Sequence, residues 1–263
     1  MKRRKIAAAA VFLAAALLLA SCTGGGSDQL GEISEGFGVP REVLSGLESE
    51  TADFLYETVS SGRLTADRTD YARIYTTDTG EVVMEKADYE EYLAATASPE
   101  PDGDTSGGWV RLYTAIYETD ETSALVSCAV TWLTPAAPRL RDVMGITLEN
   151  GTLSHDTVGG FYWQNGESQA FDVADIDEFG GGATASFPLT GDENTGGEGA
   201  FMYLSFIKEG NSEGVSAAYA HQEMELDGAT QFSVDPDLGI TFPGGSPVAP
   251  YYVQEASRIS ITW

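Results

Sequence analysis

The stretch WVRLYTAIYETDETSALVSCAVTWL, residues 109–133, decides the fold class. Two runs within it, 109–117 and 124–133, are rich in β-branched and aromatic residues, which suit a pleated, half-buried surface. Trp109, Tyr113 and Tyr117 recur on one face of the first run. Ala124, Val126, Cys128, Val130 and Trp132 share one face of the second, because side chains alternate across a strand. The pattern continues toward the C-terminus. Asn150-Gly151 separates 145–149 from 152–156, and Asn165-Gly166 separates 161–163 from 168–173. Asn-Gly is the dipeptide preferred by a type I′ turn, so a hairpin is expected at each. Residues 201–207 and 215–222 read as a further pair, and 258–263 as a terminal strand. Short strands with Gly-rich turns predict a mainly β chain: an antiparallel β-sandwich-like domain over 109–263.

Upstream, the periods change. Pro40 suits a first helical position, and Val43, Leu47, Phe54, Leu55 and Thr58 lie near one face, which predicts a helix over 40–60. Residues 71–76 and 82–86 predict a hairpin around Asp78-Thr79-Gly80. Asp88 is placed to cap a short helix carrying Tyr89, Tyr92 and Leu93. The segment 40–98 is expected to pack on the main domain, and the Pro-, Gly- and acid-rich stretch 99–108 to link the two. Residues 22–39 read as a flexible tether, from the Thr-Gly-Gly-Gly-Ser run at 23–27.

The first residues carry an address. Lys2, Arg3, Arg4 and Lys5 precede an uninterrupted apolar run at 6–20, then Ser21 and Cys22. A basic patch, a short apolar run and a small-residue site together describe an export signal. Fifteen residues are fewer than the ~20 needed to span a bilayer as a permanent helix. Leu19-Ala20-Ser21-Cys22 resembles the lipobox of bacterial lipoproteins. The resemblance covers residues 1–22 alone. It implies diacylglycerol on Cys22, cleavage after Ser21, acyl chains such as palmitate, and an extracytoplasmic domain anchored to a cell membrane.

Removing 1–21 takes four of the 14 basic residues and none of the 41 acidic ones, leaving a net charge of −31 over 242 residues. Such a chain is not expected to bind nucleic acid, whose phosphates need Lys and Arg. The charge favours cationic partners, metal ions or plain solubility. With Cys22 lipidated, Cys128 stands alone and reads as a small core residue.

Among candidate sites, Asp102, Asp104 and Ser106 followed by Gly107 resemble the first half of an EF-hand loop and offer oxygen ligands for calcium. Position twelve is Tyr113 where a bidentate Glu belongs, and a β pattern follows where a helix belongs. No other cofactor is called for. Further acidic groups stand at Asp172, Asp175, Asp177 and Glu178, at Asp192 and Glu193, and at Asp235 and Asp237; exposed turns contain the same residues. Ser154, His155 and Asp156 are adjacent, which on a strand turns His155 away from its neighbours. Two prolines in 135–138 mark a connection that an ion pair from Arg139 or Arg141 to Asp142 would fix, and His221 shares a face with Glu223. Trp109, Tyr113 and Tyr117 are candidates for an aromatic ligand platform, set against the simpler role of filling the core, which the need of a disulfide-free sandwich for large side chains favours. The function expected is a non-catalytic binding module that meets an envelope protein or glycan. The alternatives are a carboxylate-dependent glycan hydrolase and a structural or assembly lipoprotein.

Overall fold

The computed structural model describes residues 26–97, 108–134, 139–154, 157–179, 181–189, 197–224, 231–237, 239–242, 246–248 and 252–263. In chain order the elements are helices α1 (Gly26–Phe37), α2 (Arg41–Leu44) and α3 (Ser49–Ser61), strands β1 (Arg63–Thr76) and β2 (Val82–Ala87), and helix α4 (Tyr89–Ala97). There follow β3 (Gly108–Glu118), β4 (Ser123–Trp132), β5 (Arg141–Leu148), β6 (Thr152–Leu153), β7 (Gly159–Gln164), β8 (Glu167–Ala170), β9 (Ile176–Phe179) and β10 (Gly182–Pro188). The last are β11 (Gly199–Ile207), β12 (Ser212–Gln222), β13 (Ser233–Asp235), β14 (Gly239–Phe242), β15 (Ser246–Pro247) and β16 (Tyr252–Thr262).

Among the described residues these strands form three antiparallel sheets. The large one runs β2-β1-β3-β4-β11-β7-β8, with β6 added along β11. The second runs β16-β12-β5-β10-β9, and the third is β13-β14-β15. The first two face one another as a β-sandwich, as the sequence predicts. Val110, Leu112, Val126, Cys128 and Trp132 from the large sheet meet Met144, Ile146, Val215, Tyr219 and Ile259 from the second in one continuous core.

Both outer faces are also covered. Ala115, Tyr117, Leu125, Phe161, Trp163 and Phe201 of the large sheet lie under Ile33, Phe37, Val43 and Leu55 of the helices. Val143, Ala218 and Ala220 of the second sheet lie under Phe232, Val234 and Ile240 of the third. Four layers result. This is why β4 and β12 are apolar on both faces and alternate only weakly: neither face meets water.

The region 22–39, expected as a tether, contains the helix α1. Ile33 and Phe37 are fully buried against the large sheet, and burying two such side chains, at about 1.5–3 kcal/mol each, offsets the entropy of ordering a Gly-rich segment. The helix expected over 40–60 is two helices, α2 and α3. Gly46 interrupts it where the backbone passes Ser168: a β-carbon there would stand 2.8 Å from the Ser168 Oγ.

The two Asn-Gly dipeptides diverge. Asn165 (φ 55°) and Gly166 (φ 79°) form the expected two-residue turn, and Gln164 pairs with Glu167 across it. Asn150-Gly151 makes no hairpin. β5 pairs with β10 and β12 in the second sheet, whereas β6 joins β11 in the large one. The dipeptide is a crossing between sheets. The expected pairing of 201–207 with 215–222 is corrected likewise. β11 belongs to the large sheet and β12 to the second, so Leu204 and Phe206 face Val215 and Ala217 across the core rather than lying beside them. The hairpin around Asp78-Thr79-Gly80 forms with Thr76 paired to Val82, and the C-terminal run is the last part of β16, paired along β12.

Candidate functional site

Asp88 and Glu91 start α4 as a capping box. The Glu91 amide donates to Asp88 Oδ1 at 2.8 Å, and the Asp88 amide donates to Glu91 Oε2 at 3.0 Å. Tyr89 and Tyr92, three residues apart, therefore share a helix face. That face lies on Tyr71 of β1 and Trp109 of β3, brought together by the register Tyr71–Arg111 and Arg73–Trp109. The Tyr71 and Tyr92 rings stack at 6.0 Å with 13° between planes; Tyr89 lies 5.3 Å from Tyr71, and Tyr92 meets Trp109 edge-on at 5.6 Å. Trp109 and Tyr71 are the foundation, and Tyr89 and Leu93 are the open side, at 49% and 40% exposure. Burial pushes the Tyr71 hydroxyl above its ordinary range, with the nearby Arg111 opposing. Exposed ring faces beside hydroxyls offer a partner both stacking and hydrogen bonding.

The predicted row Trp109, Tyr113 and Tyr117 is thus divided between this cluster and the seat of the helical layer. Tyr117 is buried, and its hydroxyl donates to the Gly36 carbonyl at 3.0 Å. Tyr113 is half-buried beneath Gly38, whose φ of 66° and close approach to that ring leave no room for a side chain. Burial pushes the Tyr113 hydroxyl up to about 12. Arg111, two residues before Tyr113 on the same strand, donates to the Gly38 carbonyl at 2.8 Å. These residues seat the helical layer, and Trp109 alone contributes to the exposed cluster. The signal for that cluster was the run Tyr89, Tyr92 and Leu93, legible as one helix side; its contact with Tyr71 is a matter of tertiary packing.

A second constellation closes one end of the sandwich. Trp132 Nε1 donates to the Tyr219 hydroxyl at 2.7 Å, and that hydroxyl donates to Asp142 Oδ2. Asp142 Oδ1 also accepts from the Gln222 amide at 3.2 Å and lies 2.9 Å from His221 Nδ1. His221 Nε2 lies 3.6 Å from Glu223 Oε1, joining the two residues expected to share a face. Trp132, Tyr219, Asp142 and His221 are at most 1% exposed. Burial pushes Tyr219 well above its ordinary range, aided by the Asp142 charge, and burial raises Glu223 and Glu198 as well. Sealed from solvent, the group ties β4, β5 and β12 together. The expected Arg139 or Arg141 pair with Asp142 does not form: Arg139 pairs with buried Glu198, and Arg141 with Asp175 at 2.8 Å. Charge pairing follows the packed elements rather than sequence adjacency.

The acidic groups likewise part. Asp175 goes to Arg141, and Asp177 Oδ2 accepts from the Phe232 amide at 3.1 Å. Among the described residues no group of three or more His, Cys, Asp or Glu is arranged to hold a metal ion. Cys22, and the calcium candidates Asp102, Asp104 and Ser106, lie outside the described residues, as do His155 and Asp156. Cys128 is fully buried, and burial pushes its thiol up to about 12. Among the described residues no helix is long and apolar enough to cross a membrane.

No family model and no curated protein matches the chain. Solved structures with partial similarity include the collagen-binding subdomain of the Enterococcus faecalis surface protein ACE, at 9% identity over 55% of this chain and 90% of that one, with a TM-score of 0.33. A collagen-binding domain from a Staphylococcus aureus adhesin gives 6% identity over 52% and 88%, with a TM-score of 0.31. The Streptococcus pneumoniae pilus backbone gives 10% over 74% and 79%, with a TM-score of 0.28. Likeness this remote carries no argument about ligand or partner, and what the geometry establishes is an antiparallel β-sandwich covered on both outer faces.

Proposed function

We propose that this chain is an exported lipoprotein, anchored through Cys22 on the extracytoplasmic face of a cell membrane, whose domain acts as a non-catalytic binding module. The observation that carries the binding role is the aromatic cluster of α4: Tyr89 and Leu93 stand half-exposed on a foundation of Tyr71, Tyr92 and Trp109. Large apolar side chains set on a rigid sheet are the usual anchors of an interface. The anchor rests on the lipobox resemblance, and the charge of −31 makes lipid the means of holding to an anionic surface.

Two experiments test the two halves. Cells are fed radiolabelled fatty acid: wild type incorporates label and Cys22→Ala does not, and equal labelling of both would remove the anchor. Envelope extract is then passed over immobilised full-length protein and its Tyr89→Ala/Leu93→Ser variant. One stoichiometric partner retained by wild type and lost by the variant supports the reading. Equal retention by both would overturn it.

A further inference from the structure

The outer face of the second sheet carries a cleft of about 340 Å³ between β16, β12 and the third sheet. Its lining includes Ser216, Pro236, Asp237, Gln254, Ala256 and Arg258. The register sets this out: Ser216 pairs with Arg258 and Ala218 with Ala256, and alternation puts these side chains on the outer face while Val215, Ala217 and Ile259 point into the core. We propose that this cleft binds one hydroxylated ring the size of a single sugar residue, a site separate from the aromatic cluster on the opposite side of the sandwich.

Three observations carry it. Ser216 is 1% exposed and its Oγ has no hydrogen-bond partner. A buried hydroxyl is normally paired, so one left open at the floor of a cleft fits a ligand hydroxyl that completes it. The walls carry both charges: Arg258 pairs with Glu149 and lies 3.6 Å from Asp237, whose carboxylate is 86% exposed. These are two carboxylates to one guanidinium, a balance that repels a simple anion. A neutral polyol accepts from the guanidinium and donates to the carboxylate at once. The volume falls in the small-molecule range, and Ala256 leaves the floor open where a larger side chain would fill it.

The test uses the full chain in detergent micelles and the methyl glycosides of glucose, galactose, mannose and N-acetylglucosamine, read by saturation-transfer NMR and by titration. At least one glycoside is expected to bind. Ser216→Ala and Asp237→Asn should each weaken it by about ten-fold, the effect of removing one ligand hydrogen bond worth about 1.4 kcal/mol. Asp237 is exposed, so its variant keeps the fold. Thermal melting reports whether Ser216→Ala does. Glu121→Gln, an exposed change in the turn between β3 and β4, should leave glycoside binding unchanged, and retention of an envelope partner reads the aromatic cluster separately, so failure here is distinguishable from failure of that reading. Binding to none of the glycosides, binding untouched by both cleft variants, or preferential binding of inorganic phosphate or guanidinium would overturn the proposal.

Discussion

His221 Nδ1 lies 2.9 Å from Asp142 Oδ1, with both side chains wholly buried between the two main sheets. Asp142 accepts from Tyr219 and from the Gln222 amide as well, so its carboxylate is the hub of strands β4, β5 and β12. Removing one member of a buried charged group strands the others without water. Asp142→Ala is expected to lower unfolding free energy by about 3–5 kcal/mol, measured by urea denaturation. A loss under about 1 kcal/mol would show that the hub contributes little.

Glu213 holds the crossing between sheets. Its Oε1 accepts from the amides of Glu149, Asn150 and Gly214 at 2.8, 2.9 and 3.0 Å, with the side chain 2% exposed. Glu213→Gln keeps a neutral acceptor there and should cost about 1 kcal/mol. Glu213→Ala removes this acceptor from all three amides, of which the Glu149 amide keeps its bond to the Gly214 carbonyl at 2.9 Å, and should cost about 2 kcal/mol or more. Equal losses in the two variants would mean that the acceptor is not what matters.

Asp70 links the sheets at another edge, between Arg68, Lys86 at 2.5 Å and Ser257 of β16. Burial alone would raise its carboxyl, but the bonds from Arg68, Lys86 and Ser257 outweigh it and hold the group below its ordinary 3.8. A depressed carboxyl contributes stability above its unfolded pKa and loses it as pH falls through the folded one. The stability gap between wild type and Asp70→Asn should therefore be constant above about pH 5 and narrow below about pH 4. A gap that stays level into strong acid would refute the charge assignment.

The two Asn-Gly dipeptides should answer differently to one substitution. Gly166 needs positive φ and has open space around it. Asn tolerates that conformation better than Ala, so Gly166→Asn should be milder than Gly166→Ala, which should cost about 1 kcal/mol. At Gly151 a β-carbon would meet Phe206 at 2.7 Å and Glu213 at 2.9 Å. Size decides there, and Gly151→Asn should be the worse of the two. Thermal midpoints of the four variants supply the comparison.

Cys128 should be inert while folded. Its thiol is fully buried and pushed up to about 12 by that burial. A thiol-specific dye at pH 8 is expected to react with Cys22→Ala protein only on unfolding, since the thiolate is the nucleophile. Rapid labelling of the native protein would contradict this placement.

Features closed within a few residues could be read directly. The turn at Asn165-Gly166 needs only its own two dihedrals, and Asp88 with Glu91 satisfies the amides of its own helix, so both follow from local chemistry. Cys128 and its neighbours could be placed on one face because a strand alternates whatever it faces. Sheet membership could not be read this way. Asn150-Gly151 carries the same turn signal as Asn165-Gly166, yet Glu213, more than sixty residues away, holds the amides of Glu149 and Asn150, and β12 and β11 claim the strands on either side. The second cover on each sheet was hidden for the same reason: burial on both faces erases the alternation that marks an inside and an outside. By itself the sequence determined a β-rich chain, the turn at Asn165-Gly166 and the cap of α4, because each depends on neighbouring residues. Only tertiary packing decided that Tyr113 and Tyr117 would lie under the helices while Tyr89 stands in solvent, and that Asp142 would meet His221 across 79 residues, because those choices depend on what the rest of the chain leaves uncovered.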